Sequence, residues 1–131
     1  LLEAAQFVEM NQSRQSVQIS APEEIGFNAV TGVMTKALGD DEKRFDFVIE
    51  TPQKIYLIEV NFYSGGGSKL NEVARAYSDI APKINAVEGF EFVWITDGVG
   101  WNSAKNKLQE AFNIIPSIYN LTSIYNFIEQ L

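Results

Sequence analysis

Asp46 and Glu59 each sit inside an apolar, strand-like run, in FDFVIE and in IYLIEVNF. A bare charge in such a run is costly unless something compensates it. If Thr51-Pro52-Gln53-Lys54 is the turn joining the runs, Glu50 faces Ile55 and Asp46 falls opposite Glu59. Opposed side chains on neighbouring strands have Cβ atoms about 4.5 to 5.5 Å apart, and like charges so placed repel. A divalent cation resolves that conflict. Asn61, two residues beyond Glu59, points to the same face of its strand. Three oxygen-bearing side chains then converge, a donor set that suits magnesium or manganese, which keep waters and can present one to a phosphodiester. The alternative is that both acids reach solvent near the strand ends and pair with Lys43, Arg44 or Lys54. A one-residue change of register would remove the opposition.

The second chemical candidate is Ser64-Gly65-Gly66-Gly67-Ser68-Lys69, between a strand and a helix. Exposed backbone amides and a helix N-terminus there attract anions. A nucleotide-binding loop of the Walker kind needs glycine directly before its lysine and serine or threonine directly after, and Ser68 and Leu70 occupy those places. The segment reads either as a flexible turn or as a loop whose residues Gly65, Gly66, Gly67, Ser68 and Lys69 approach a phosphate, and the two are compatible. Asp97-Gly98-Val99-Gly100-Trp101 reads as a turn after a buried strand. Trp94 reads as core, whereas Trp101 is a candidate for a subunit interface or for DNA.

Composition narrows the chemistry. The 131 residues contain no histidine and no cysteine, which excludes disulfides, thiolate zinc sites and the usual neutral-pH base. Catalysis must use carboxylates, lysines, hydroxyls or a bound metal. The formal net charge of -7 has the wrong sign for a protein that holds nucleic acid by bulk charge. No run approaches the roughly 18 apolar residues that span a bilayer, and the N-terminus lacks a secretory pattern, so no membrane partner and an intracellular location are expected. The length suits one domain, residues 1–131.

These groups need elements to hold them. Residues 2 to 10 are weakly helical, and Asn11 to Ser16 read as a loop. Ser20-Ala21-Pro22-Glu23 carries a capping-box signature, which predicts a helix to about Leu38. Phe45 to Glu50 and Ile55 to Phe62 predict an antiparallel hairpin. Leu70, Val73, Ala74, Tyr77, Ile80, Ala81 and Ile84 recur at helical spacing, with Pro82 expected to kink or split the last turn. Phe90 to Thr96 reads as a strand buried on both faces. Asn102 or Ser103 is the expected cap of the next helix, Ser117 to Leu121 a short strand, and Thr122 the cap of a last helix. The alternation predicts an α/β domain with a mixed sheet between helical layers.

Asp46, a twelve-residue gap, then Glu59-Val60-Asn61 resembles the metal-binding signature of the PD-(D/E)xK nuclease superfamily. More narrowly, FDFVIE, IEVNFYSGGGSK and FVWITDGVGWNSA together resemble the DpnII/MboI group of type II restriction endonucleases, over roughly residues 43 to 120. The resemblance implies a restriction-endonuclease-like core and a magnesium-dependent enzyme, with manganese as a substitute. It further implies cleavage of double-stranded DNA at GATC by a homodimer in the bacterial cytoplasm. By the family motif, Asp46 and Glu59 would hold the metal. The superfamily usually has lysine where this chain has Asn61, and asparagine offers no positive charge. Lys69 is the nearest substitute and Lys43 a weaker one; Glu24 or Glu23 could add an acid from the preceding helix. Asn61 and the acidic charge also motivate the alternative of a nuclease-like domain that binds DNA or protein without cutting.

Overall fold

A computed structural model of the chain describes residues 43–131, together with the backbone of residues 27–28 and 33–34. Three short strands, β1 (Phe27–Asn28), β2 (Val33–Met34) and β3 (Lys43–Arg44), form an antiparallel meander. The main sheet has the order β4-β5-β6-β7, with β4 (Phe47–Glu50), β5 (Ile55–Phe62), β6 (Phe90–Asp97) and β7 (Ile118–Tyr119). The pair β4/β5 is antiparallel, whereas β5/β6 and β6/β7 are parallel. Parallel neighbours need crossovers. Helix α1 (Ser68–Asn85) joins β5 to β6, and α2 (Lys105–Ile114) joins β6 to β7. Helix α3 (Ile124–Glu129) follows β7.

Alternation along β5 and β6 divides the sheet's apolar residues between two cores. Ile55, Leu57, Phe92 and Trp94 pack with Leu70, Ala74, Ala81 and Ile84 of α1 and Ala111 of α2. Tyr56, Ile58, Val93 and Ile95 pack on the other face with Ile124 and Phe127 of α3. This is the expected mixed sheet between helices. Each fully buried side chain of this size contributes about 1.5 to 3 kcal/mol by leaving water, so the two central strands anchor the fold. On the α1 side of β5 the series Ile55, Leu57, Glu59, Asn61 turns from apolar to polar along the strand, and the candidate site forms there.

The predicted hairpin register is the observed one, with Glu50 opposite Ile55 and Phe47 opposite Ile58, but β4 starts at Phe47 rather than Phe45, so Asp46 lies just before the ladder and not on a rung with Glu59. Its turn is closed by Thr51, whose N–H and hydroxyl both donate to the Lys54 carbonyl and whose hydroxyl oxygen accepts the Lys54 N–H.

Four local expectations are corrected. The helix expected up to Leu38 is not found at Phe27–Asn28 and Val33–Met34, which pair as the strands β1 and β2. Gly26, Thr31, Gly32 and Val33 favour that outcome, since glycine and β-branched residues weaken helices; the rest of that segment, with Glu23, Glu24 and the weak helix at 2 to 10, lies outside the described residues. Of the two outcomes expected at Pro82, the split does not occur, since α1 continues to Asn85 and the Pro82 carbonyl still accepts the Ala86 N–H. Neither Asn102 nor Ser103 caps α2. Val99–Ser103 forms a 3-10 turn, Ala104 precedes the helix, and the Ser103 hydroxyl donates to the Gly100 carbonyl. At the last helix Asn120, not Thr122, supplies the oxygen, accepting the N–H groups of Thr122 and Ser123.

Candidate active site

The two carboxylates meet where β4 gives out. Beyond the Phe47–Ile58 rung the Val60 N–H has no ladder partner, and Asp46 Oδ2 accepts it at 2.9 Å. Asp46 is itself exposed. Glu59 is buried, with 5% of its surface exposed. Its Oε2 accepts a hydrogen bond from the Tyr77 hydroxyl of α1 at 3.2 Å. Lys43 Nζ of β3 stands 2.7 Å from Oε1. That contact is one of charge rather than an aligned hydrogen bond, for Oε1 is buried without a hydrogen-bond partner. The lysine is steadied from its other side by Phe45, whose ring centre is 5.6 Å from Nζ.

Burial pushes the Glu59 carboxyl up from its ordinary 4.5 to about 7. The Lys43 ammonium opposes this, and the Asp46 charge adds to it. Loss of water disfavours the ionised form, and a like charge nearby disfavours it further. Tyr77 is raised as well, by burial and then by the Glu59 charge, so its hydroxyl keeps its proton and remains a donor.

Asn61 shares the face of Glu59, as expected, but its side chain is engaged with the protein interior. Its Oδ1 accepts the Trp94 indole N–H at 3.1 Å, and its Nδ2 donates to the Tyr77 oxygen at 3.4 Å. Trp94 is fully buried, packed edge-on against Tyr77 and Trp101 with ring centres 5.0 and 5.6 Å apart. Trp101 is also interior, at 6% exposure, and its indole donates to Thr96 Oγ1 at 2.9 Å. It contributes to the core rather than offering a face to DNA or a subunit.

The glycine run packs against the loop that follows β6. The Tyr63 N–H donates to the Asp97 carbonyl and the Gly100 N–H to the Tyr63 carbonyl, at 3.0 and 2.9 Å. Gly98, at φ 115°, and Gly100 leave no room for a Cβ, because the backbones of Tyr63 and Gly65 lie directly over them. This close approach places the two loops side by side. Gly65, Gly66, Gly67, Ser68 and Lys69 are all exposed, with Lys69 in the first turn of α1. Lys43, not Lys69, is the lysine that reaches the carboxylate pair.

Among the described residues no group of three or more acidic, histidine or cysteine side chains forms a metal cluster. The pair nonetheless suits a hard divalent cation. Both donors are carboxylates and one is exposed; the Lys43 ammonium, 2.7 Å from Glu59 Oε1, marks the place where that oxygen takes a cation and is the charge a metal would have to displace or share.

Sequence reasoning assigned Tyr77 to the apolar stripe of α1 and missed its role at Glu59. A hydroxyl on such a stripe needs a partner, and a polar residue across the sheet was the available signal. Lys43 was ranked below Lys69 because distance along the chain does not report distance in space.

Comparison with known proteins points to one family. Residues 3–130 match the model of the DpnII restriction endonuclease family. The type II restriction enzyme MboI of Moraxella bovis is 66% identical over 96 residues, covering 73% of this chain and 34% of that protein. The type II restriction enzyme DpnII of Streptococcus pneumoniae is 55% identical over 94 residues, 71% of this chain and 33% of that protein. MjaIII, a type II restriction enzyme of Methanocaldococcus jannaschii, is 48% identical over 90 residues, 66% of this chain and 31% of that protein. The chain thus spans about a third of the length of the curated relatives it matches. No solved structure matches it significantly. With a family model matched along nearly its whole length, the chain belongs to the DpnII restriction endonuclease family.

Proposed function

We propose that residues 1–131 form a single nuclease domain carrying the phosphodiester-cleaving centre of a type II restriction endonuclease. The enzyme hydrolyses double-stranded DNA at GATC, with magnesium as cofactor and manganese as its substitute. The observation that carries this reading is the Asp46–Glu59 pair, a buried carboxylate beside a second, exposed one, with the buried oxygen met by the Lys43 ammonium rather than by an aligned hydrogen bond. Names of the relatives, all type II restriction enzymes, support the reaction class.

Asp46 and Glu59 would hold the cation, whose chemistry here is charge neutralisation at the phosphate and a more acidic water. Lys43 contributes a positive charge beside Glu59, the part left open by an uncharged Asn61. The exposed amides of Gly65, Gly66, Gly67 and Ser68, with Lys69 in the first turn of α1, bind a backbone phosphate near the cleaved bond. Asn61 acts through its neighbours, holding Tyr77 in place. With a net charge of -7, phosphate binding rests on such local cations rather than on bulk attraction. The enzyme acts as a homodimer in the bacterial cytoplasm; no helix among the described residues is long and apolar enough to cross a membrane.

The test is cleavage of unmethylated, GATC-containing plasmid by the full native chain with magnesium, with Asp46→Ala alongside and the product ends sequenced. Ends at GATC that vanish in the mutant are the expected result. Plasmid left uncut under magnesium and manganese would favour a nuclease-like domain that binds without cutting.

A further inference from the structure

The hydrogen bonds behind Glu59 run in one direction, and donor chemistry fixes that direction. An indole N–H can only donate. Trp94 therefore requires the oxygen of Asn61 to face it, as it does at 3.1 Å. That orientation turns the Asn61 amino group to Tyr77, where it donates to the phenolic oxygen at 3.4 Å. Tyr77 thus accepts a hydrogen bond from Asn61 and donates its own hydroxyl to the remaining acceptor, Glu59 Oε2, at 3.2 Å. Of the two Glu59 oxygens, Oε2 is held by a neutral donor, while Oε1 has no aligned hydrogen bond and faces the Lys43 ammonium at 2.7 Å, the position a divalent cation would share or take over.

We infer that Trp94, Asn61 and Tyr77 form a polarised hydrogen-bond chain that positions Glu59, holding Oε2 so that Oε1 is presented to a divalent cation. Tyr77 is the positioning residue in contact with the carboxylate. Asn61 stands where a lysine is usual because only a side chain with both an acceptor and a donor can pass the direction of the chain from Trp94 to Tyr77. A lysine has three donors and no acceptor, so it would leave the buried indole N–H unpaired. The far end is anchored by packing. Trp94 is fully buried between Tyr77 and Trp101, and Trp101 is tied to Thr96. Groups that orient metal ligands through hydrogen bonds commonly change metal affinity by about 10- to 100-fold when removed.

This inference rests on the metal-binding reading of Asp46 and Glu59, and its test separates the two. Mn2+ binding is measured by titration calorimetry on the full native chain for wild type, Glu59→Gln, Tyr77→Phe, Asn61→Ala and the Tyr77→Phe/Asn61→Ala double variant. Tyr77→Phe removes one hydroxyl and keeps the ring that packs against Phe92 and Trp94, and thermal melting confirms that each variant is folded. The expected result is binding about tenfold weaker in Tyr77→Phe, with the double variant no weaker than the more affected single one, since Asn61 acts through the Tyr77 hydroxyl. In cleavage assays the Mn2+ concentration for half-maximal rate rises in Tyr77→Phe, while the rate at saturating metal recovers. Wild-type Mn2+ affinity in Tyr77→Phe, or losses that multiply in the double variant, would overturn the inference alone. A wild-type chain that binds no more Mn2+ than Glu59→Gln would overturn the metal reading and this inference with it.

Discussion

Two glutamates on the central strands each meet a lysine, and their surroundings differ. Glu91 of β6 is paired with Lys54 at 3.0 Å through Oε1, while its Oε2 accepts the Ser117 hydroxyl at 2.8 Å. Both oxygens are satisfied, and no second carboxylate is among these contacts. Glu59 of β5 has one oxygen bonded to Tyr77 and the other facing Lys43 without a hydrogen bond, with Asp46 beside it. A closed ion pair ties elements together. An open one, more deeply buried and with a like charge alongside, works against folding and asks for a further cation.

Breaking the open pair has the largest expected effect. Asp46→Ala should lower the rate of cleavage by about a thousandfold or more, equivalent to about 4 kcal/mol of transition-state stabilisation, with a melting temperature close to wild type because Asp46 is exposed. Single-turnover kinetics with circular dichroism as a control would check this. Lys43→Ala should cost about a hundredfold in rate, as loss of one preorganised charge does, and more than Lys69→Ala. The reverse ranking would return the charge role to Lys69.

The pH dependence of stability sharpens the contrast. In metal-free protein the folded chain holds the Glu59 proton up to about pH 7, whereas the unfolded chain releases it near 4.5. The folded state binds more protons across that window, so the contribution of Glu59 to stability falls as pH rises from 4.5 through 7. Denaturation in a chelator should show this decline, and Glu59→Gln should flatten it. The smallest effect is expected at the closed pair. Lys54→Met should lower stability by roughly 1 kcal/mol or less, in line with half-exposed ion pairs, without altering cleavage.

The strongly patterned parts were legible from residue types. Strand alternation and a Thr51–Lys54 turn predicted the register of β4 and β5 from Phe47 to Glu50; Asp46 was expected on the next rung and instead lies beyond the ladder, where its carboxylate accepts the Val60 N–H. The polar contacts behind the site were not legible, because they join residues far apart in the chain. Tyr77 shares its helical stripe with Leu70, Ala74 and Ala81, and periodicity alone treats all four as core. Two buried indoles were an unused signal, since each N–H needs an acceptor, and Asn61 and Thr96 are those acceptors. The helix expected from the capping-box pattern at Ser20 to Glu23 does not extend through Phe27–Asn28 and Val33–Met34, which pair as strands.

The central claim is that the Asp46–Glu59 carboxylates, not the closed Glu91–Lys54 ion pair, form the catalytic centre. It is tested most directly by single-turnover cleavage of a GATC duplex with magnesium, comparing Glu59→Gln with Glu91→Gln in the full native chain. The account predicts that Glu59→Gln loses about a thousandfold or more in rate, while Glu91→Gln cleaves as wild type does. Wild-type cleavage by folded Glu59→Gln would contradict it.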